Sequence, residues 1–275
     1  MQQIDKIEAP TVEYFIENYL KPNKPVLMTG ITDKWPAFAK WTPEYLSELS
    51  GERALNVSRM IDGDYVNSVN TDMKLSEYID ALKSSTDKNE KLYLGELPIL
   101  KYLPELQEDI TIPDYFDQTE DDPKCFLYIG QHLFSQLHYH TCGSAALAII
   151  KGYKKVRLYA PDQTRYLYKQ PWYSVNHNMS KTTKNEPDEK QFPDFSKAEY
   201  VDVKVSEGEM LFIPIYWWHA ITNEEFNMAV VTFWGEKLFR RKPPAPLALD
   251  YLSDVAKDAP EIASGVFNKI IGRAS

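Results

Sequence analysis

From Lys124 onward the chain repeats one kind of segment: "CFLYIG", "SAALAII", "KKVRLYA", "YVDVKV", "EMLFIPI" and "NMAVVTFW". Each is six to eight residues of apolar or alternating character, and Gly, Pro, Asp and Asn punctuate them. Runs this short are below helix length, and their β-branched and aromatic content suits a pleated surface. Several such strands at close spacing restrict the fold to a sandwich, barrel or jelly roll. Residues 162–199 interrupt the rhythm with polar, Pro-containing sequence, which is expected to form a long inserted loop.

The N-terminal part is mixed. "TVEYFIENYL" places Val12, Phe15, Ile16, Tyr19 and Leu20 at helical spacing, with Thr11 as N-cap, and "KPVLMTG" is a short buried strand. "WTPEYLSEL" opens a helix, with Thr42 as N-cap and Pro43 at the first position. "LNVSRMIDGDYVNSV" is expected to be a hairpin turning at Asp62-Gly63 or Gly63-Asp64, "LSEYIDAL" a short amphipathic helix and "KLYLGEL" a strand. After Pro246 the pattern turns helical. Leu247, Leu249, Tyr251, Leu252 and Val255 share one apolar face, and Ile262, Val266, Phe267, Ile270 and Ile271 a second. With no repeat and no clear linker, one domain over 1–245 followed by a helical tail over 246–275 is expected.

Composition bounds the function classes. A chain with 43% hydrophobic and 26% charged residues can bury a sizeable core. The net charge of −9 argues against broad adhesion to nucleic acid and favours a protein, peptide or small-molecule partner. Two cysteines, Cys125 and Cys142, make no disulfide framework and fit a reducing compartment. The first residues lack the basic and apolar regions of a secretory signal, and no apolar run has transmembrane length. The expectation is therefore a cytoplasmic protein with no membrane association.

The chemistry concentrates at "SQLHYHTC". Side chains at i and i+2 of a strand face the same way, so His138 and His140 would point to one side of a sheet. His219, in "GEMLFIPIYWWHAI", is the candidate third ligand. A facial triad needs three converging side chains with positions left open. Each residue has a plainer reading. A His beside Trp217 and Trp218 is commonly a packed residue, an unpaired Cys142 is commonly a small hydrophobe, and Lys154 in "KGYKK" is an ordinary solvated charge on spacing alone. His132 and His177, without a paired partner, are expected at the surface or in loops.

Several segments in this order resemble the JmjC-domain, cupin-like oxygenases, a family of iron(II)- and 2-oxoglutarate-dependent hydroxylases. The segments are "KPVLMTGITDKWPAFAKW", "KLYLGEL", "LYIGQHLFSQLHYH", "IKGYKKVRLYAPDQTRYLY", "NEPDEKQFPDFSKAEYVDVKVSEGEMLFIPIYWWH" and "VVTFW". The resemblance implies a mainly β fold, a double-stranded β-helix (cupin-type jelly roll) with flanking N-terminal and C-terminal helices. It implies iron(II) held by His138, position 140 and His219. It implies 2-oxoglutarate gripped by Lys154, with Ser135 and Tyr93 as hydrogen-bonding neighbours, and Trp234 packed near the metal. It implies hydroxylation of a protein, peptide or small molecule, and a homodimer formed through the tail by Leu249, Leu252, Phe267 and Ile270. The chain departs from the family pattern twice. His-Tyr-His stands where the family has His-X-Asp or His-X-Glu, and "GSAALAII" stands where many relatives carry a co-substrate-facing Asn. A three-histidine cupin oxygenase that does not use 2-oxoglutarate, and a catalytically silent binding protein, remain alternatives at this point.

Overall fold

The computed structural model describes residues 3–61, 64–84, 90–115, 124–235 and 243–249, together with Leu252. In chain order its elements begin with β1 (Asp5–Glu8), α1 (Val12–Phe15), β2 (Val26–Thr29), α2 (Pro36–Lys40) and α3 (Pro43–Ser50). They continue with β3 (Ala54–Ile61), β4 (Asp64–Lys74), α4 (Leu75–Ser84), β5 (Glu90–Pro98) and α5 (Ile99–Tyr102). The strand-rich part supplies β6 (Lys124–Gly130), β7 (Leu133–His138), β8 (Gly143–Lys151), β9 (Tyr153–Tyr159), β10 (Val201–Ser206), β11 (Met210–Ile213), β12 (Trp218–Asn223) and β13 (Asn227–Gly235).

The strands form two sheets. The larger has the order β1-β2-β11-β8-β13-β6-β5-β3-β4, and the smaller β10-β9-β12-β7. Side-chain parity explains how they stack. Ala145, Leu147 and Ile149 of β8, Leu211 and Ile213 of β11, and Ala229 and Val231 of β13 face Val156, Leu158, Val203 and Val205 of the small sheet. The intervening residues Ala146, Ala148 and Ile150, with Met210, Phe212, Val230 and Trp234, face the N-terminal helices instead. Strand β8 is thus buried on both faces, which is why it is a continuous apolar run rather than an alternating one. This two-sheet β architecture is the jelly roll expected from the sequence.

The helical entry follows local chemistry. The Thr42 hydroxyl accepts from the Tyr45 amide at 3.1 Å and caps α3, with Pro43 at its first position. Thr11 caps α1 in the same way at 3.2 Å, but that helix widens into a π-turn over Ile16–Leu20. Asp109, almost fully buried, accepts from Lys40 Nζ at 2.7 Å and Trp41 Nε1 at 3.0 Å, and so ties this layer together. Buried Tyr78 donates to the Ile129 carbonyl at 2.6 Å and accepts from the Leu94 amide at 3.1 Å, fixing β5 to β6. The expected hairpin is β3–β4, with its turn residues 62–63 outside the described residues.

The inserted segment is ordered and runs along the outer edge of β7. The Ser180 amide donates to the Leu137 carbonyl at 2.8 Å, and the Tyr139 amide to the Asn178 carbonyl at 3.1 Å. Arg157 anchors it, bridging Asp202 at 2.8 and 2.9 Å and Glu186 at 2.7 Å while lying over the Tyr200 ring. His177 lies in this loop segment, one of the two expected placements, and is buried there at 5% exposure; His132, in the β6–β7 turn, is exposed.

The β8–β9 hairpin turns at Gly152, whose φ is +72°, and a Cβ there would lie 2.3 Å from the Phe226 carbonyl oxygen. Gly152→Ala is therefore expected to cost about 2 kcal/mol or more, from left-handed backbone strain plus displacement of that carbonyl. Urea unfolding of wild type and variant measures it.

Candidate metal centre and co-substrate cavity

Strand β7 ends at His138, and the extended backbone carries the alternation two residues further. Tyr139 turns into the apolar cluster on the opposite side, beside Trp218, while His138 and His140 face the space between the sheets. On β12, His219 pairs directly with His138 across the antiparallel ladder. Partners opposite one another share a face. The three imidazoles therefore converge, with one ring nitrogen from each lying within 4.8 Å of the others.

Hydrogen bonds set the tautomers. His138 Nδ1 lies 2.7 Å from the Gln136 carbonyl, and His219 Nδ1 lies 3.0 Å from the Trp217 carbonyl. A carbonyl only accepts, so each Nδ1 carries the proton and each Nε2 keeps its lone pair. Burial lowers all three ring pKa values, His140 to about 3, with the neighbouring rings adding repulsion at His140 and His219. At neutral pH the cluster is three neutral imidazoles, the form that binds a metal ion. His140 Nδ1 is buried without a protein hydrogen-bond partner. An orphaned ring nitrogen beside two inward-aimed lone pairs fits a cation, and imidazole suits iron, zinc, copper and nickel. Cys142 is exposed and outside this group.

The cluster lines a cavity of about 230 Å³, and every residue expected at the site from the sequence lines it too: Tyr93, Ser135 and Lys154 with the three histidines. Its walls between them are apolar, including Leu147, Ile213, Ile221 and Val231. Lys154 is 2% exposed, and its ammonium donates to Asn223 Oδ1 at 3.0 Å. Burial lowers its pKa to about 7. Asn223 shares the His219 face of β12 by parity, four residues and about 13 Å along the strand. The histidine cluster and the buried lysine therefore sit at separate levels of one cavity.

Trp234 is not at the cluster. It stacks on Phe212 in the core of the opposite sheet face, and the residue before it, Phe233, turns its ring to His140 at 5.1 Å. Placing Trp234 near the metal is thus corrected by one residue of strand parity. Residues the sequence did not single out are Asn223, Phe233, Glu96, Asn178 and Met179. The spacing His219-Ile221-Asn223 carried a signal for the first.

A buried lysine without an anion lowers the stability of the ligand-free protein. Its folded pKa of about 7 lies below the 10.5 of an exposed lysine. Between those values the unfolded chain binds more protons, so the lysine's penalty is full below pH 7 and fades towards pH 10.5. Lys154→Met is expected to raise the stability of the ligand-free protein by about 2–4 kcal/mol at pH 6, with the advantage shrinking at pH 9. Chemical unfolding of both proteins at the two pH values checks the sign.

Comparison with known proteins agrees with this geometry. The chain is 35% identical over 241 residues to lysine-specific demethylase 8 of Xenopus tropicalis, covering 84% of this chain and 53% of that protein. It is 33% identical over 244 residues to the Danio rerio protein of the same name, covering 85% and 59%. It is 28% identical over 250 residues to human tRNA wybutosine-synthesizing protein 5, covering 84% and 77%. The chain thus spans little more than half the length of the demethylases it matches. The family model of the cupin-like domain matches residues 11–239; with the two-sheet fold and the inward-facing histidines, this shows that the chain belongs to the cupin-like domain family.

Proposed function

We propose that the protein is an iron(II)- and 2-oxoglutarate-dependent dioxygenase that hydroxylates a protein, peptide or small molecule. JmjC-type members of the family use these two cofactors. The observation that carries the reading is the pairing, in one apolar-walled cavity, of a three-imidazole cluster with a buried lysine that no carboxylate neutralises among the described residues. A dicarboxylate spanning the two would satisfy both.

Under this reading His138, His140 and His219 hold the metal. His138 and His219 are oriented by the Gln136 and Trp217 carbonyls. The bound metal would supply the open coordination positions at which co-substrate and dioxygen react. Lys154, steadied by Asn223, takes the distal carboxylate of 2-oxoglutarate, and Ser135 and Tyr93 offer hydroxyls beside it. Ile213, Ile221 and Val231 exclude water from between them. The net charge of −9 supports a protein, peptide or small-molecule substrate ahead of nucleic acid.

The deciding measurement is succinate release coupled to oxygen uptake by the iron-loaded protein in the presence of candidate substrates. Oxygen uptake without succinate would transfer the reading to a three-histidine cupin oxygenase independent of 2-oxoglutarate. Lys154→Ala is expected to abolish 2-oxoglutarate binding by calorimetry while leaving metal binding nearly intact. Wild-type binding at pH 8 should take up close to one proton, because the incoming carboxylate raises a lysine pKa that burial had lowered to about 7. Unchanged affinity in Lys154→Ala would overturn the co-substrate assignment.

We also propose that residues 246–275 act as a dimerisation element attached to the catalytic domain over 1–245. Leu247 is fully buried against the domain, whereas Leu249 and Leu252 are each 58% exposed. Phe267 and Ile270 lie outside the described residues. Light scattering is expected to give a dimer for the full chain. Leu249→Glu combined with Leu252→Glu should give a monomer, with Leu247 left in place to hold the domain; a monomeric wild type at high micromolar concentration would end the idea.

A further inference from the structure

We propose that Glu96 supplies the negative charge that the three-imidazole shell lacks, and thereby sets the affinity of the site for a divalent cation. The inference rests on the metal reading above. Three neutral imidazoles leave a divalent ion with its full charge inside apolar walls, and such a charge is costly to bury unless it is compensated. The cavity lining among the described residues holds two charged side chains, Lys154 and Glu96. Lys154 has the same sign as the metal, which leaves Glu96 as the compensating group.

The backbone around Glu96 is unusual. Strand β5 pairs Leu94 with Ile129 and Leu97 with Leu127, so an extra residue is accommodated between them. Glu96 occupies this bulge at a φ of +52°, a conformation that favours glycine. Bulges re-aim side chains, and strain of this kind is concentrated at functional positions. Tyr78 pins the strand beside the bulge through the Leu94 amide. Among the described residues Glu96 has no hydrogen bond and no ion pair. The residue as a whole remains exposed, yet burial raises its carboxyl above the usual carboxylate range. It is a carboxylate at a cavity wall with no partner among the described residues.

The second observation comes from the cluster. His140 completes a group of three imidazoles that includes no carboxylate, and its Nδ1 is buried without a partner among the described residues. The shell itself therefore carries no negative charge. Glu96 is not one of the groups whose ligand atoms come within 4.8 Å of one another, so it acts through the shell as a positioning residue, by its charge across the cavity.

The test is a double-mutant cycle on the metal-stripped full chain, with Co(II) alone as probe and a competing chelator to measure affinity. Glu96→Gln should weaken Co(II) binding about 10–100-fold. His140→Asp returns a carboxylate to the shell, and in that background Glu96→Gln should cost less than about threefold. Glu96→Gly provides the control for folding. Glycine suits the positive φ, so thermal stability should hold or rise while Co(II) affinity falls as in Glu96→Gln. A merely structural role would move stability and affinity together. Affinity within threefold of wild type in Glu96→Gln, or an equal loss in both backgrounds, overturns the inference while leaving the metal site standing. A wild type that binds no Co(II) overturns both.

Discussion

The functional centre depends on one antiparallel register, the pairing of His138 on β7 with His219 on β12. Because side chains alternate with a strict period of two, a slip of one residue on either strand would send its histidine into the aromatic cluster behind the sheet. Tyr139 and Trp218 occupy that cluster, with ring centroids 4.6 Å apart, and both are fully buried. They are the residues flanking the two histidines. Their burial on one face and the convergence of imidazoles on the other are one fact of register, and the apolar side stabilises the polar side.

The larger sheet performs the complementary task. Its central strands are buried on both faces, so the cavity floor is apolar and closely packed. The small residues of β8 make room: Ala145 lies opposite Phe233 in the ladder, whose ring comes to His140. The inserted segment closes the remaining side by covering the open edge of β7 and bringing Asn178 and Met179 to the cavity. Covering that edge also removes a set of unpaired backbone groups next to the ligand strand.

Much of this was legible from residue order. The six apolar runs became strands, and the His-X-His parity held even though β7 ends at His138, because the following backbone stays extended. What failed were matters of register between distant segments. Whether Phe233 or Trp234 faces the histidine cluster depends on which face β13 turns to the small sheet, and a run apolar at both parities carries no such information. Asn223 was readable by counting two and four residues from His219, but only once β12 was known to run on past the ligand. Glu96 was not readable at all. Its placement arises from a bulge that takes up one residue between Leu94 and Leu97, and nothing in "KLYLGEL" distinguishes a bulged strand from a regular one except the glycine before it.

The charges of the cavity have a common cause. Three imidazoles with lowered pKa values, a lysine lowered to about 7 and a carboxyl raised above its usual range are each what burial imposes on a titratable group without a counter-ion. Each departs toward neutrality, as burial without a compensating charge requires. A fold optimised for stability alone would fill these positions with hydrocarbon, which loses nothing on burial. The arrangement makes sense as one half of a set of charges. A divalent cation takes up the imidazole lone pairs and favours an ionised carboxylate, and a dianionic co-substrate favours a protonated lysine while offsetting the metal. Binding of the two ligands is then mutually supportive through charge as well as through direct coordination, because each reduces the cost of burying the other. The same logic gives His140 its consequence. If the three imidazoles hold the metal as proposed, a shell without a carboxylate leaves more positive charge for the co-substrate and the remaining cavity groups to balance.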